Sequence, residues 1–305
     1  MTRKLVFLAV LGLFACGDDD GGDTDAAVDD GGGLDAGPAS DAGESDGGVG
    51  TDGGDSDGGG GTDAGPVTLM LPPANGSLDY QLGEAYDPPS GVVVVSRDRN
   101  ATPAPGLYNI CYVNGFQTQP DERSFWTDDH PDLLLRDGSG NVVIDPDWDE
   151  IILDVTTPEK RAALAEIVGG WIDGCATAGF DAIEIDNLDT YSRSGDRVSQ
   201  NDAVAFMRML SDRAHAAGMP IAQKNSTEVL ARREEMGTDF AVAEECNRYS
   251  ECGDYTDVYG DQVYVIEYRM ADFTRGCADF PELSNVLRDR DLVGPTSGRY
   301  VYDGC

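Results

Sequence analysis

The sequence has few residues that bind transition metals or form a nucleophile and base pair. It contains two histidines, His130 and His215, in 305 residues, and its seven cysteines include no Cys-x-x-Cys spacing. Zinc sites use Cys and His ligands at short spacings, and a cysteine nucleophile needs a nearby base such as histidine. These absences argue against a zinc site and a Cys/His catalytic pair, and we expect no metal and no cofactor.

Basic residues are also scarce, with 21 Lys and Arg against 57 Asp and Glu. Residues 17–65 contain 18 of the 39 glycines, 14 Asp, one Glu and no Lys or Arg. Such a composition cannot bury a core, so we predict a disordered linker over residues 16–65. The 240 residues from Pro66 onward keep 42 acidic and 19 basic residues, a net charge of about −23. Because phosphate recognition needs clustered Lys and Arg, this charge argues against nucleic acid and anionic membrane surfaces, and it favours cationic ligands.

No apolar run reaches the roughly 20 residues that a transmembrane helix needs. The run of ten over residues 5–14 follows Arg3-Lys4 and precedes Ala15-Cys16, which is the arrangement of a signal peptide. Residues 13–16, Leu-Phe-Ala-Cys, also resemble the lipobox of bacterial lipoproteins, in which the cysteine is lipidated. We therefore expect a lipoprotein signal peptide over residues 1–15 and lipid on Cys16. An ordinary cleaved signal with a free Cys16 is the alternative.

The remaining six cysteines are an even set in a chain that we expect to be exported, where disulfides persist. Three disulfides are plausible on this count, with buried free thiols as the alternative. The predicted pairs are Cys246–Cys252, which would bridge locally, Cys277–Cys305, which would tie the last helix to the C-terminus, and then Cys111–Cys175.

Short apolar runs alternate with helical patterns after Pro66. The predicted strands are apolar throughout, as buried parallel strands are, and cover residues 92–95, 107–113, 151–155, 182–185, 220–222, 240–243 and 262–266. One predicted helix begins at Thr157-Pro158, with a Thr156-x-x-Glu159 box, and a second begins near Ser199-x-x-Asp202. Two further predicted helices cover residues 226–237 and 281–290. This alternation predicts an α/β fold, a (β/α)8 TIM-type barrel over residues 66–305, with a doubly wound open sheet as the alternative.

Charged and amide side chains follow several of these predicted strands. In a barrel the C-terminal strand ends meet at one mouth, so residues far apart in sequence would share a pocket. The alternative is a set of helix caps and solvated loop acids. The strand-end residues are Asp98, Asp154, Asp186, Lys224-Asn225, Glu244 and Glu267-Tyr268.

The densest signal lies in residues 179–189. Glu184 and Asp186 are two apart in a predicted strand and therefore point to the same side, while the isoleucines around them pack on the other. Asp186-Asn187 would bring a carboxylate and an amide together at the strand tip, a combination that moves a proton and holds a hydroxyl. A Ca²⁺ or Mg²⁺ site built from Glu184, Asp186 and Asp189 is the competing hypothesis.

Two further strand ends supply complementary groups. Glu244 leaves its predicted strand two residues before Cys246, whose disulfide would tether the loop. Lys224-Asn225 supplies a cation and an amide, either to lower the pKa of a neighbouring carboxylate or to bind a substrate oxygen. A structural ion pair is the alternative for Lys224.

Four blocks of sequence, GFDAIEIDNLDTY, AHAAGMPIAQKNS, DFAVAEECNRYSEC and VYVIEY, occur in the order found in glycoside hydrolase family 114 and resemble it. Residues 80–82, 109–112 and 152–155 resemble its earlier motifs, so the resemblance covers most of residues 78–305. The resemblance implies a TIM-type barrel and an extracellular enzyme, endo-α-1,4-polygalactosaminidase-like, that acts on α-1,4-linked galactosamine-containing polysaccharide. Two positions depart from the family: Glu184 stands where Asp is usual, and Ala243 where Asn commonly precedes the glutamate.

The resemblance also implies that Asp186 and Glu244 are the catalytic pair. Cleavage of a glycosidic bond ordinarily takes two carboxyl groups, one protonated and one ionised. We expect Tyr112, Tyr191 and Tyr268 to stack on sugar rings, with rim packing as the alternative. The residues expected to bind substrate are Asp154, Asn187, Asp189, Lys224, Asn225, Glu267, Tyr268 and Tyr112.

Together these features predict an exported, monomeric glycoside hydrolase whose barrel lies outside the cytoplasm. Lipid on Cys16 would anchor it to the bacterial cell envelope, at the outer membrane or cell surface, and would be its only contact with a membrane. A carbohydrate-binding lipoprotein that has lost turnover is the alternative, because a fold does not establish activity.

Overall fold

A computed structural model of the chain describes residues 68–305. The predicted signal peptide, Cys16 and the predicted linker up to residue 65 lie outside the described residues.

Eleven strands are present in residues 68–305. They are β1 (Leu78–Gln81), β2 (Val94–Asp98), β3 (Tyr108–Asn114), β4 (Ile144–Asp145), β5 (Glu150–Ile151), β6 (Ala182–Asp186), β7 (Ile221–Lys224), β8 (Phe240–Glu244), β9 (Val263–Glu267), β10 (Ser284–Arg288) and β11 (Tyr302–Gly304). Strands β4 and β5 pair as a small antiparallel hairpin, and the other nine form one sheet. In that sheet β1, β2, β3 and β6 to β10 are parallel, and only β11 is antiparallel to its neighbour.

The first and eighth parallel strands lie side by side. Arg288, at the end of β10, is fully buried; it donates to Asp79 Oδ1 at 3.1 Å and to the carbonyl of Tyr80 in β1. Ser284 Oγ, at the start of β10, donates to the carbonyl of Gly76 at 2.7 Å. The sheet follows chain order without the reversal that defines a doubly wound sheet. The TIM-type barrel is confirmed and the doubly wound alternative is wrong.

Alternate side chains of the strands fill the barrel interior, since successive residues of a strand point to opposite faces. The residues of the opposite phase, such as Ile183 and Ile185, pack against the surrounding helices. A strand-end residue reaches the mouth of the barrel only when it is in phase with the interior set. That set is Leu78, Tyr80, Val94, Ile110, Ala182, Ala222, Phe240, Val242, Tyr264, Ile266 and Val286.

Seven α-helices lie in residues 68–305: α1 (Pro158–Ala178), α2 (Thr190–Arg193), α3 (Gln200–Ala216), α4 (Arg233–Met236), α5 (Cys246–Tyr249), α6 (Cys252–Tyr259) and α7 (Met270–Asp279). Helix α3 begins with the predicted capping box, in which Ser199 and Asp202 bond reciprocally. Helix α1 begins at Pro158, as predicted, and is capped by Thr157, whose side chain accepts from the Lys160 N–H, rather than by Thr156 of the predicted box. Thr156 bonds instead to Asp154.

Three predicted elements differ in the structure. Residues 281–290 form strand β10 rather than a helix. Residues 226–237 form a 3-10 helix, Thr227–Arg232, followed by the single turn of α4. The apolar run at 151–155 is not a barrel strand, because only Ile151 belongs to the β4–β5 hairpin and the next two residues make isolated bridges to the β3–α1 connection.

All three predicted disulfides are present: Cys111–Cys175, Cys246–Cys252 and Cys277–Cys305. The first joins β3 to α1, and the second joins α5 to α6. Among residues 68–305, no helix combines the length and the apolar character needed to cross a membrane.

Candidate active site

Asp186 and Glu244 end β6 and β8, and both are in phase with the barrel interior, as Ala182 and Phe240 of the same strands are. Only β7 lies between their two strands. The side chains are 20% and 28% exposed, respectively. Both carboxylates therefore lie at the mouth of the barrel, within reach of a ligand.

Lys224 ends β7 and lies between them, with a side chain only 1% exposed. Its Nζ is 3.4 Å from Asp186 Oδ1 and 3.4 Å from Glu244 Oε2. Burial alone would lower the pKa of Lys224, but the charges of Asp186, Glu244 and Glu184 raise it well above its ordinary value. Because a neighbouring cation favours the ionised form of a carboxyl group, Lys224 helps to keep Asp186 ionised.

A fully buried carboxyl group, Glu184, lies deeper in the barrel. It accepts from the Tyr80 hydroxyl at 2.6 Å and from Ser96 Oγ at 2.8 Å, and it lies 3.1 Å from Lys224 Nζ. Burial raises the pKa of Glu184 above its ordinary value, against the attraction of Lys224. Tyr80 also accepts from Lys224 at 3.0 Å, so the lysine is fixed from below as well as from the sides.

Two tyrosine hydroxyls donate to the two mouth carboxylates. Tyr112 donates to Asp186 Oδ2 at 2.7 Å, and Tyr268 donates to Glu244 Oε1. Burial would raise the pKa of Asp186, but Lys224, Tyr112 and the N–H of Asn187 together hold it below its usual range. Asp186 is therefore an ionised acceptor. Tyr112 and Tyr268, both predicted to bind substrate, each hold one of the two mouth carboxylates.

Backbone in the left-handed region follows three successive strand ends, with φ of 64° at Asn187, 47° at Asn225 and 57° at Glu245. This conformation costs a non-glycine residue about 1 kcal/mol. At Asn225 the side chain recovers part of that cost by bonding twice to Glu244. Its Oδ1 accepts from the Glu244 N–H at 2.8 Å, and its Nδ2 donates to Glu244 Oε2 at 3.3 Å. Asn225 therefore positions Glu244.

Asn187 faces the other side of Asp186. Its Nδ2 donates to Asn114 Oδ1 at 3.0 Å, and its Oδ1 accepts from Arg193 at 3.1 Å. Arg193 in turn holds both oxygens of Asp189 at 2.6 and 2.8 Å. Asn187 and Asp189 thus lie in one network beside Asp186, and the charge of Asp189 is balanced by an arginine.

Asp154 does not lie on a barrel strand. The hydrogen bonds of its carboxylate within residues 68–305 go to Thr156 and to Lys160, which is in the first turn of α1. A carboxylate that bonds back to the next residues and to a helix start holds a turn together. Asp154 therefore stabilises the turn that leads into α1, which agrees with the alternative of helix caps and loop acids rather than with substrate binding.

Glu267 ends β9 but has the wrong phase for the mouth, because Tyr264 and Ile266 of the same strand face the interior. It is fully buried, and its Oε1 accepts from the N–H of Asn247 at 2.8 Å. Burial raises the pKa of Glu267 to about 7. The next residue, Tyr268, points to the barrel interior, and its hydroxyl donates to Glu244.

The competing metal hypothesis needed Glu184, Asp186 and Asp189 to share one cation. In the structure the first two contact Lys224, and the third pairs with Arg193. Within residues 68–305, no three His, Cys, Asp or Glu side chains are grouped so that they could hold a metal ion.

Sequence reasoning missed three residues around the pair. Tyr80 bonds Glu184 and Lys224, and the only signal for it was its place in the opening family motif. Glu150, in the β4–β5 hairpin, accepts from Asn114 Nδ2 at 2.9 Å. Arg290 lies 5.0 Å from the ring centroid of Tyr268. Neither Glu150 nor Arg290 ends a predicted strand, so the strand-end pattern could not find them.

A sequence model of glycoside-hydrolase family GH114 matches residues 61–305. No curated protein sequence matches the chain. Among solved structures, Aspergillus fumigatus Ega3 in complex with galactosamine is similar over 78% of this chain and 98% of its own, with 22% identity and a TM-score of 0.62. A variant of the glycoside hydrolase domain of PelA from Pseudomonas aeruginosa is similar over 74% of this chain and 97% of its own, with 14% identity and a TM-score of 0.53. At these identities the structures support the fold.

Proposed function

The chain belongs to glycoside-hydrolase family GH114, and from that premise we propose that it hydrolyses α-1,4-linked galactosamine-containing polysaccharide through Asp186 and Glu244. The observation that carries the proposal is the contact of both carboxylates with one buried ammonium, that of Lys224, at the mouth of the barrel. Ega3, a protein of the same fold, has been solved with galactosamine, which supports the substrate class.

The two carboxyl groups take different roles in the proposed reaction. Asp186 is kept ionised by Lys224 and Tyr112, which suits a nucleophile that attacks the anomeric carbon. Glu244, the more exposed of the two, is the proposed proton donor to the departing glycosidic oxygen. In the second half of the reaction Glu244 removes a proton from water, the oxygen attacks the anomeric carbon, and Asp186 is released.

The proposed two-step reaction predicts retention of configuration, and the spacing of the pair is compatible with it. Since each carboxylate has an oxygen 3.4 Å from Lys224 Nζ, those two oxygens are at most about 7 Å apart. Retaining enzymes hold their carboxyl groups at about 5–5.5 Å and inverting ones at about 6.5–9.5 Å. Proton NMR of the first product released from an α-linked oligomer tests this, because an initial β-anomer would contradict retention.

The test of the function itself is whether the purified protein shortens galactosamine-containing polysaccharide, measured by reducing ends and by size-exclusion chromatography. We expect new reducing ends and shorter chains. A carbohydrate-binding protein would retain polymer of unchanged length on a column carrying the immobilised protein. Binding without shortening would overturn the proposal in favour of that alternative.

The proposal includes export and lipid anchoring through Cys16. The three disulfides in the barrel support an oxidising compartment outside the cytoplasm. Labelling with a fatty-acid analogue in a bacterial host tests the anchor. The wild-type protein should take up label and sediment with membranes, whereas a Cys16→Ser variant should do neither.

A further inference from the structure

The β4–β5 hairpin brings an additional carboxyl group beside the proposed catalytic pair. Asn114, the last residue of β3, is paired in register with Asp186 of β6. The same asparagine donates from Nδ2 to Glu150 Oε2 at 2.9 Å and accepts from Asn187 at 3.0 Å. Glu150 is therefore linked through Asn114 to the strand end that carries Asp186.

Buried contacts fix the hairpin in place. Asp145, which pairs with Glu150 across the hairpin, is fully buried; it lies 2.6 Å from Arg193 Nε and accepts from Gln117 Nε2 at 2.9 Å. The other hydrogen bonds that Arg193 donates within this network go to Asp189 and Asn187. Glu150 therefore lies beside a cation whose charge is already shared by other groups.

The surroundings of Glu150 are short of positive charge. Among residues 68–305, no basic side chain lies within ion-pair distance of its carboxylate. The charged groups that act on it are Asp186 from β6, Asp145 from β4 and Arg193 from α2. Burial above all, and then the two aspartates, raise the pKa of Glu150 to about 8, against the hydrogen bond from Asn114 and the charge of Arg193.

An unpaired acceptor lies in the same corner of the barrel. Gln117, which donates to Asp145, is only 1% exposed. The Oε1 atom of Gln117 has no hydrogen-bond partner within residues 68–305. A buried carbonyl oxygen without a donor costs about 1–3 kcal/mol. Glu150 therefore has no basic side chain within ion-pair distance, and Gln117 Oε1 has no donor, among residues 68–305.

We propose that Glu150 binds the protonated amino group of the substrate sugar and so selects 2-amino-2-deoxy sugars over their N-acetylated forms. This inference rests on the proposed function, because it assigns a specificity residue to that same site. An ammonium group supplies the missing charge and up to three donors, whereas an acetamide is neutral and bulkier. When the ammonium binds below about pH 8, the proton held by Glu150 passes to the solvent and a charge-assisted pair forms.

The experiment measures binding by calorimetry with a defined α-1,4-galactosamine oligomer and with its fully N-acetylated form. Three proteins are compared: wild type, Glu150→Gln and the matched control Asp147→Asn, an exposed acid in the same hairpin loop. Loss of the charge-assisted bond should weaken binding of the free-amine oligomer about tenfold in E150Q. Binding of the N-acetylated oligomer, and all binding by D147N, should change less than about twofold.

A second readout needs only the wild-type protein. Titrations at about pH 6.5 in two buffers of different ionisation enthalpy should show release of roughly one proton for each bound amino group at Glu150. This result is expected even if E150Q does not fold. No proton release, equal weakening of both oligomers in E150Q, or no binding of either oligomer to wild type would each overturn the inference.

Cleavage of the same oligomers, followed in parallel, separates this inference from the proposed function. If wild type binds the amine form selectively through Glu150 but cuts neither oligomer, the hydrolase proposal fails and the Glu150 inference stands. If wild type cuts the polymer and E150Q keeps the same selectivity, the Glu150 inference fails alone.

Discussion

The carboxylate of Glu184 lies 3.1 Å from the ammonium of Lys224, in side chains that are 0% and 1% exposed. An ion removed from water to this depth is stable only with its partner, because an unpaired buried charge costs several kcal/mol. Glu184 therefore keeps Lys224 charged and in place between Asp186 and Glu244. Glu184 is one of the two positions at which the sequence departs from the family pattern, and its carboxylate holds Lys224 at the centre of the site.

Replacing Lys224 should change the pH dependence of the enzyme. Lys224 holds the pKa of Asp186 below its usual range, so in a Lys224→Gln variant Asp186 gains its proton at higher pH. The reactive ionised form is then lost at pH values where wild type still works, and the acid limb of kcat/KM should move up by about one pH unit or more. Rate profiles on the polymer measure this.

The control for that profile is Arg232→Gln. It makes the same change of charge at Arg232, a partly exposed residue outside the site that forms an ion pair with Glu235. Its acid limb should coincide with that of wild type. An unshifted acid limb in a folded K224Q protein would contradict the role given to Lys224.

The two mouth carboxylates should each be needed for turnover. Asp186→Asn and Glu244→Gln remove the nucleophile and the proton donor while keeping size and shape. We expect kcat/KM to fall about 10³-fold or more, equivalent to about 4 kcal/mol of transition-state stabilisation. Asp154→Asn is the matched control, since its carboxylate serves a turn at the start of α1, and its activity should stay near wild type. Near-normal turnover by a folded D186N or E244Q protein would refute the assigned role.

The β10 strand shows where sequence patterning fails. Its residues Ser284, Asn285 and Arg288 are polar yet almost fully buried, because each has a specific partner inside the fold. Hydrophobic periodicity cannot identify a strand whose burial rests on hydrogen bonds and an ion pair with β1. Strands β6 to β9, which all begin with apolar residues, were predicted to within two residues at each end.

The site was predictable where strand ends and phase agreed. Asp186, Glu244 and Lys224 all end apolar strands in the interior phase, and the sequence pattern identified each of them. Glu267 also ends a strand, but one position out of phase, and the side chain lies in the outer layer. Glu150 was missed because a two-residue strand leaves no periodic signal.

Arg290 should affect catalysis through Tyr268. Its guanidinium lies 5.0 Å from the Tyr268 ring centroid and is held by both oxygens of Glu245 at 2.7 Å, and Tyr268 donates to Glu244. A cation over an aromatic ring contributes about 1 kcal/mol. Arg290→Ala should therefore lower kcat several-fold to about tenfold, with a smaller effect on KM, because Tyr268, the donor to Glu244, is held less firmly.

Arg248→Ala is the matched control for this variant. Arg248 pairs with the same Glu245 at 2.7 Å, but its guanidinium lies 5.1 Å from the centroid of Tyr249, which is exposed. Its kcat should remain within about twofold of wild type. Equal losses in the two variants would show that Glu245, and not the support of Tyr268, is the important contact.

The acidic surface should attract a cationic polymer. Galactosamine without its acetyl group is largely protonated at neutral pH, and residues 66–305 carry a net charge of about −23, so the two attract each other over about the Debye length. Raising salt from about 0.01 M to 0.5 M shortens that length several-fold, and KM for deacetylated galactosaminan should rise. KM for a fully acetylated oligomer, where it is cleaved, should respond far less because that oligomer is neutral. Measuring KM for both substrates across this range distinguishes an acidic surface that attracts the substrate from one that only keeps the protein soluble. An equal change of KM for both substrates would count against a cationic substrate.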